Sequence, residues 1–492
     1  SSLVFSLSPW SILFAHTAYE APNALMFYLL GIYWLISLAE TKKTSQAILL
    51  TIGSFLAYFV GFYSYHGYKL IMPVLVGVPF VWQWWLADKK TKVKLTKPYL
   101  VFGGLMLLLV IKFLTSMSGY GDRQSELIFL DQEFLAELVN SSRKLGFLTP
   151  ITSLLINKYT VLAREIGIRY LATFNPTNLF ITGTDSTVLF SLFQTGYAYL
   201  IELPLIIIGG WFLHKNYKNT FYLLSALLLV APLPAALHHG TSTALRAGLI
   251  FPLLAVFIAA GWYHLFSLQG LLGSFLKLIT VGSLLINFGY FFYIFQNNYP
   301  VYSADNYFFK ERLLAKYLKL AQENQKPVTV LSKNPYPGFR AYLFYQNELQ
   351  PEKLAQLVPE FKQGVYSNYN FENFSWTSDC SVLEQNINGY LVVEEELLSE
   401  CSKEKTASDR YDEIYLKTQV FPQFIASPID SRNYYVIFNS ELCASSELNS
   451  YVYNSQRSAF ALEKLTRSEF CTKWIIRDGG LEERLIKLSN IN

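Results

Sequence analysis

Charge is scarce in this chain of 492 residues, at 15% Asp, Glu, Lys and Arg, against about 25% in soluble domains. The shortage is uneven. Up to about residue 297 the sequence is mostly long apolar runs, and beyond it polar residues return at ordinary density. Two solvents are therefore expected, lipid first and water second. Cysteine is missing from the whole apolar part, and all four lie at Cys380, Cys401, Cys443 and Cys471. A large basic excess is missing too. A net charge of +4 is too small to suggest a nucleic-acid partner, and no basic arm is present, so none is expected. The C-terminal part lacks a glycine-rich phosphate loop, a nucleophile elbow and any Cys-x-x-Cys or Cys–His metal spacing. At the N-terminus there is no charged leader and no small-residue cleavage site. The opening Ser-Ser-Leu-Val-Phe reads as the last turns of a membrane helix, so the chain is expected to be a fragment.

What is present is a series of apolar runs near 20 residues, the length that crosses a hydrocarbon core. They fall at 21–40, 45–64, 67–87, 98–116, 195–213, 220–238, 246–266 and 275–296, with the stub 1–10 as a partial span. About eight full spans are expected. Lysines set their direction. The loop 88–97 holds Lys89, Lys90, Lys92, Lys94 and Lys97, and alternate loops on that side hold Lys42, Lys43, Lys215, Lys218 and Lys277. The opposite loops are nearly bare. The expected topology puts residues 116–195 and 297–492 outside the cytoplasm. Four cysteines confined to that outer part suggest two disulfides. Of the three pairings, Cys380 with Cys401 and Cys443 with Cys471 closes the shortest loops and is expected. Domains are expected at 1–296, helical and polytopic, and at 297–492, a small extracytoplasmic α/β or α+β domain. Its strand-like cores are 326–332, 388–398 and 433–440, after a helix at 309–324. The loop 116–195 carries amphipathic patterns at 130–146 and 151–172. The second fits a helix on the membrane surface or one packed on the C-terminal domain.

Polar side chains collect at the expected outer helix ends: His16 and Glu20 before one span, Tyr65, His66 and Lys69 at a second turn, and His238, His239 and Arg246 at a third. Cations there can hold a phosphate, while His and Tyr can bond to it or to a sugar. The alternative is plain interfacial anchoring.

Several of these stretches resemble the bacterial membrane glycosyltransferases of the protein-mannosyltransferase (dolichyl-phosphate-mannose-protein mannosyltransferase-like) type, of the GT-C class. The resemblance runs to about residue 350. In SPWSILFAHTAYEAPN, Ser8, Pro9, Trp10, Tyr19, Glu20 and Ala21 fit the family pattern. Ser11 replaces a usual His, and His16 a usual Arg. GFYSYHGYKL resembles the Tyr-x-Tyr-His turn. NPTNLFITGTDSTVLFSLFQTGYAYLIELP resembles the loop that enters a Glu-x-Pro span. TSTALRAGLIFP matches through Arg246 and Pro252. The resemblance implies transfer of a sugar from a polyprenyl-phosphate donor in the lipid bilayer to a glycan, lipid or protein acceptor outside the cytoplasm, with inversion. It implies a substrate pocket of His16, Glu20, Tyr65, His66, Lys69, His239 and Arg246, with Lys69 and Arg246 on the phosphate. Asp122, Arg123 and Asp185 are weaker candidates. The catalytic residue is unknown here: the expected Asp base lies in a first outer loop upstream of this chain. No cofactor or metal site is identified, although relatives of the class leave room for a divalent metal. A transporter or flippase of a lipid-linked substrate is the alternative function.

Overall fold

A computed structural model describes residues 1–17, 19–41, 43–69, 71–87, 89–116, 127–145, 147, 149–184, 190–239, 243–346, 350, 352, 368–385, 389–401, 407–428, 432–451 and 457–489. Two compact units emerge, Ser1–Phe295 and Gln296–Asn492.

The first unit is helical. Its main helices are Glu20–Ser37, Thr44–Ser64, Met72–Leu86, Lys89–Ser116, Glu202–Asn216, Lys218–Val230, Ile250–Ser267 and Gly270–Tyr293. Among the described residues, four stretches are long and apolar enough to cross a membrane: Ser45–Ser64, Lys218–Ala236, Ile250–Ser267 and Gly270–Tyr302. The expectation of about eight such spans is met by four on length and composition, with Met72–Leu86 a shorter apolar helix.

Boundaries move for identifiable reasons. The span expected from 195 starts at Glu202, because residues 195–201 form turns instead. The lysine-rich stretch expected to be a loop is helical from Lys89 onward, which suits residues that favour helix. The single helix expected over 151–172 is two, Pro150–Leu155 and Lys158–Ala172. Asn157 separates them. Its side-chain oxygen accepts the Tyr159 and Thr160 N–H groups, and Thr160 Oγ1 accepts the Asn157 N–H, a capping box that starts a new helix. Leu154, Leu155 and Tyr159 of this stretch are exposed, leaving the apolar side open as an interfacial position requires.

Small residues let helices approach where no water competes for contact. A Cβ on Gly209 would lie 1.9 Å from the Phe257 carbonyl oxygen, and one on Gly261 would lie 2.2 Å from that of Leu205. The Glu202–Asn216 and Ile250–Ser267 helices thus touch backbone to backbone. Gly209→Ala and Gly261→Ala should each lower the unfolding midpoint of the detergent-solubilised chain, at a cost of about 1–3 kcal/mol. Gly282→Ala should leave it unchanged, since nothing lies within 4 Å of its Cβ position.

The second unit is built on a seven-stranded sheet in the order β2-β3-β1-β4-β6-β5-β7. The strands are β1 (Val328–Leu331), β2 (Asn368–Phe371), β3 (Phe374–Thr377), β4 (Tyr390–Glu394), β5 (Gln423–Ala426), β6 (Asn433–Phe438) and β7 (Ile475–Ile476). β1 runs parallel to both β3 and β4, and the other pairs are antiparallel. Side chains alternate across the sheet. Tyr390, Val392, Tyr435 and Ile437 enter one apolar cluster, and Leu391, Val393, Val436 and Phe438 enter the other. Both faces are covered, which explains the continuous apolar runs of β4 and β6. Large aromatic side chains fill the core: Trp376, Trp474, Tyr317, Tyr342, Tyr369 and Phe339 are fully buried. One disulfide reinforces each layer. Cys443–Cys471 joins the first cluster and Cys380–Cys401 the second.

Glu394 ends β4. It is bonded by the Lys310 ammonium, by the Ser332 hydroxyl at 2.8 Å and by the Lys333 N–H at 2.9 Å. Burial acts to raise its pKa, but these bonds outweigh burial and hold the carboxyl below its ordinary value of 4.5. A depressed carboxylate contributes stability above its unfolded value and loses it as pH falls through the folded one. Glu394→Gln should therefore weaken this unit at pH 7 by about 1–3 kcal/mol. It should also flatten the decline in stability below 4.5. Amide hydrogen exchange in β1 and β4 across that range reads both effects.

Candidate functional site

Four stretches that lie far apart in sequence, around Trp10, Tyr68, Tyr197 and Ala244, meet in the first unit. Ser8 starts the Pro9–Ala15 helix, its hydroxyl accepting the Ser11 N–H at 3.3 Å. That helix holds Trp10, 2% exposed. The Trp10 indole N–H donates to the Ala244 carbonyl at 2.8 Å, and its backbone N–H to the Tyr197 carbonyl at 3.1 Å. The Tyr68 hydroxyl donates to the Leu245 carbonyl at 3.0 Å. Ala244 and Leu245 belong to the one-turn helix Thr243–Arg246. The last carbonyls of any helix lack partners within it, and here two distant side chains supply them.

Aromatic contacts seal the junction. Trp10 stacks on Phe251 at 5.0 Å, and Tyr197 packs against Phe251 at 5.8 Å. Phe190 lies 5.1 Å from both Phe14 and Tyr19. It holds a left-handed backbone, with φ 65°, a conformation costly for a non-glycine residue. Its carbonyl is bonded by the Tyr197 hydroxyl at 3.1 Å. Gly248 sits at the crossing: a Cβ there would meet Leu25, Trp10 and Tyr68, each at 3.0 Å.

Tyr65 is buried beside this junction. The Arg246 guanidinium is close enough to act on its hydroxyl, and the phenol keeps a proton to donate to another acceptor. Burial pushes the Tyr65 pKa up. The Arg246 charge and hydrogen bond oppose that rise, while Tyr19 and Glu20 add to it. The phenol therefore stays protonated at neutral pH. Its ring packs edge-on to Tyr19 at 6.2 Å and to Tyr68 at 5.0 Å. Glu20 is exposed at the first position of the Glu20–Ser37 helix, where a carboxylate complements the helix dipole. Next to these groups runs an open groove of about 650 Å³, lined mainly by apolar side chains including Phe5, Trp10, Tyr19, Met26 and Pro252. Ser11 lines it as well, and its buried hydroxyl has no hydrogen-bond partner among the described residues.

The other expected site residues have different partners. His16 is exposed. Its Nδ1 bonds the Ile12 carbonyl at 2.7 Å, and its ring meets Phe295 edge-on at 5.2 Å. His66 opens the turn His66–Tyr68 and is half-buried. The Lys69 ammonium lies over the rings of Phe62 and Tyr63, 5.3 Å and 5.7 Å from their centres. His239 lies 3.2 Å from the Asp131 carboxylate and edge-on to Phe134 at 4.1 Å. Arg169 bonds the carbonyls of His238 and His239 at 3.0 Å. This ties their segment to the Gln132–Lys144 and Lys158–Ala172 helices. Asp122, Arg123 and Asp185 lie outside the described residues. Glu202 of the Glu-x-Pro stretch is 3% exposed and accepts the Tyr199 N–H at 2.9 Å. Among the described residues no cluster of three or more His, Cys, Asp or Glu could hold a metal ion.

Attention to titratable groups missed Trp10, Tyr68, Tyr197 and Gly248. For the three aromatic residues the signal was the ring itself: each lies within or beside a polar turn at a helix end. Comparison of the chain with protein families, curated proteins and solved structures finds no match.

Gly67 supports the Tyr65–Arg246 pair, because a Cβ there would come within 2.6–2.8 Å of the Tyr65 ring and hydroxyl. Gly67→Ala should displace the ring and loosen that pair without removing any ionisable group. Ultraviolet resonance Raman or fluorotyrosine NMR at position 65 should report a more solvated phenol, with the overall unfolding midpoint little changed.

Proposed function

We propose that this chain is a membrane glycosyltransferase that moves a sugar from a polyprenyl-phosphate carrier to an acceptor on the extracytoplasmic side. The observation that carries the reading is the Tyr65–Arg246 pair, joined through Tyr19 to a long apolar groove. A lipid phosphate has that same composition, an anion on an apolar chain.

In the proposed reaction the acceptor hydroxyl oxygen forms a bond to the anomeric carbon as the bond to the phosphate oxygen breaks. Attack from the opposite face inverts the centre. Negative charge grows on the departing phosphate, where a positioned guanidinium stabilises it more than water would. Arg246 serves that role, and the Tyr65 phenol donates to a second oxygen. Glu20, whose charge reaches Tyr65, positions the acceptor side. The acceptor proton passes to a carboxylate base of the kind found in the family's first outer loop. Lysine asymmetry and the cysteine-bearing second unit support placing this chemistry, and residues 297–492, outside the cytoplasm.

Binding of a labelled polyprenyl-phosphate sugar to the purified chain in nanodiscs tests the phosphate contact. Arg246→Ala should weaken it at least about tenfold, as loss of a charged hydrogen bond of about 1.5–3 kcal/mol implies. Arg246→Lys should fall between, and neutral polyprenol should bind both proteins alike. Equal affinity of wild type and Arg246→Ala for the phosphate donor would refute the assignment.

A further inference from the structure

The second unit holds a separate cavity of about 320 Å³ at the end of β5 and β6, beside the Cys443–Cys471 disulfide. Gln423 lines it and is 6% exposed. Its side-chain nitrogen donates to the carbonyls of Cys443 at 2.9 Å and Ser440 at 3.5 Å. Those two acceptors fix the amide orientation, since the flipped form would set oxygen against oxygen. The Gln423 carbonyl oxygen is left buried, with no hydrogen-bond partner among the described residues. Buried acceptors are rarely left so, and a ligand donor at this point would satisfy it.

The rest of the lining narrows the ligand. Ser440, Ser445, Glu441, Glu482 and Gln419 bring hydroxyls and acceptor oxygens, and among the described residues no Lys, Arg or His belongs to the lining. A phosphate or other anion would meet two carboxylates and no cation. Glu441 lies 3.8 Å from Lys326 in an exposed pair, which offsets only part of its charge. Phe421 and Pro422 supply an apolar wall, with Phe421 stacked on Tyr415 at 5.0 Å. Many acceptors around one buried acceptor call for several hydroxyl donors, and an aromatic wall calls for an apolar ring face. A pyranose ring has both, and the cavity suits a single residue. We infer that this pocket binds a neutral sugar unit, with Gln423 accepting from a ring hydroxyl and Phe421 packing on the C–H face. This pocket lies wholly within the second unit and is independent of the transferase reading.

Saturation-transfer difference NMR on the full chain in nanodiscs provides the test. The probes are methyl glycosides of mannose, glucose, galactose and N-acetylglucosamine, with tetramethylammonium and inorganic phosphate as comparators. At least one glycoside should give signal with the wild type, and the comparators none. Phe421→Ala and Gln423→Met should each weaken that binding at least about tenfold, equivalent to 1.4 kcal/mol. Phe421→Ala keeps the buried carbonyl bonds intact, so a folding defect in Gln423→Met, detected by its melting profile, leaves the test standing. Arg246→Ala should retain the signal, which separates this pocket from the membrane site. The inference is overturned by absence of signal from every glycoside, by binding of tetramethylammonium instead, or by a signal that Arg246→Ala abolishes and Phe421→Ala leaves intact.

Discussion

The indole N–H of Trp10, bonded to the carbonyl of Ala244 across 234 positions of sequence, holds the membrane unit's junction together. In an apolar setting neither partner has water to turn to, and an unmet donor or acceptor there costs several kcal/mol. The bond fixes the Pro9–Ala15 helix against the Thr243–Arg246 turn. Tyr68 then caps the next carbonyl, and Gly248 gives both side chains room. With that turn anchored, Arg246 meets Tyr65. The pair therefore depends on a frame built of groups that carry no charge.

That dependence explains what sequence revealed and what it did not. Apolar runs marked the helices, because burial in lipid or core needs about the same composition over about the same length. Helix ends were less legible. Residues 195–201 are as apolar as a span, yet Tyr197 and Tyr199 are committed to the neighbouring turns through the Trp10 N–H and the Leu7 carbonyl. Tertiary bonds delay the start of that helix to Glu202, and no local signal reports them. At the site, searching for titratable groups found Tyr65 and Arg246. It also gathered His239 and Lys69, which have Asp131 with Phe134 and Phe62 with Tyr63 as their neighbours. A position at a helix end shows depth, and direction has to come from packing.

The second unit was legible in a different way. Its strand cores were visible as short apolar runs, and the sequential pairing of Cys380, Cys401, Cys443 and Cys471 is the one present. Sheet order was hidden, since β1 pairs with β3 and β4 rather than with its neighbour in sequence. Most of the unit's aromatics fill the core, and Phe421 instead lines a polar cavity. The two units thus differ in physical character, an apolar groove beside a cation in one and an acceptor-rich pocket in the other.

The most direct measurement is an experimental density map of the chain in nanodiscs with a polyprenyl-phosphate sugar bound. The account predicts phosphate density within hydrogen-bond reach of Arg246 and Tyr65, prenyl density along the groove of Trp10, Tyr19 and Pro252, and an intact Trp10–Ala244 bond. A phosphate bound away from Arg246, or a Trp10 indole turned from the 243–246 turn, would contradict it.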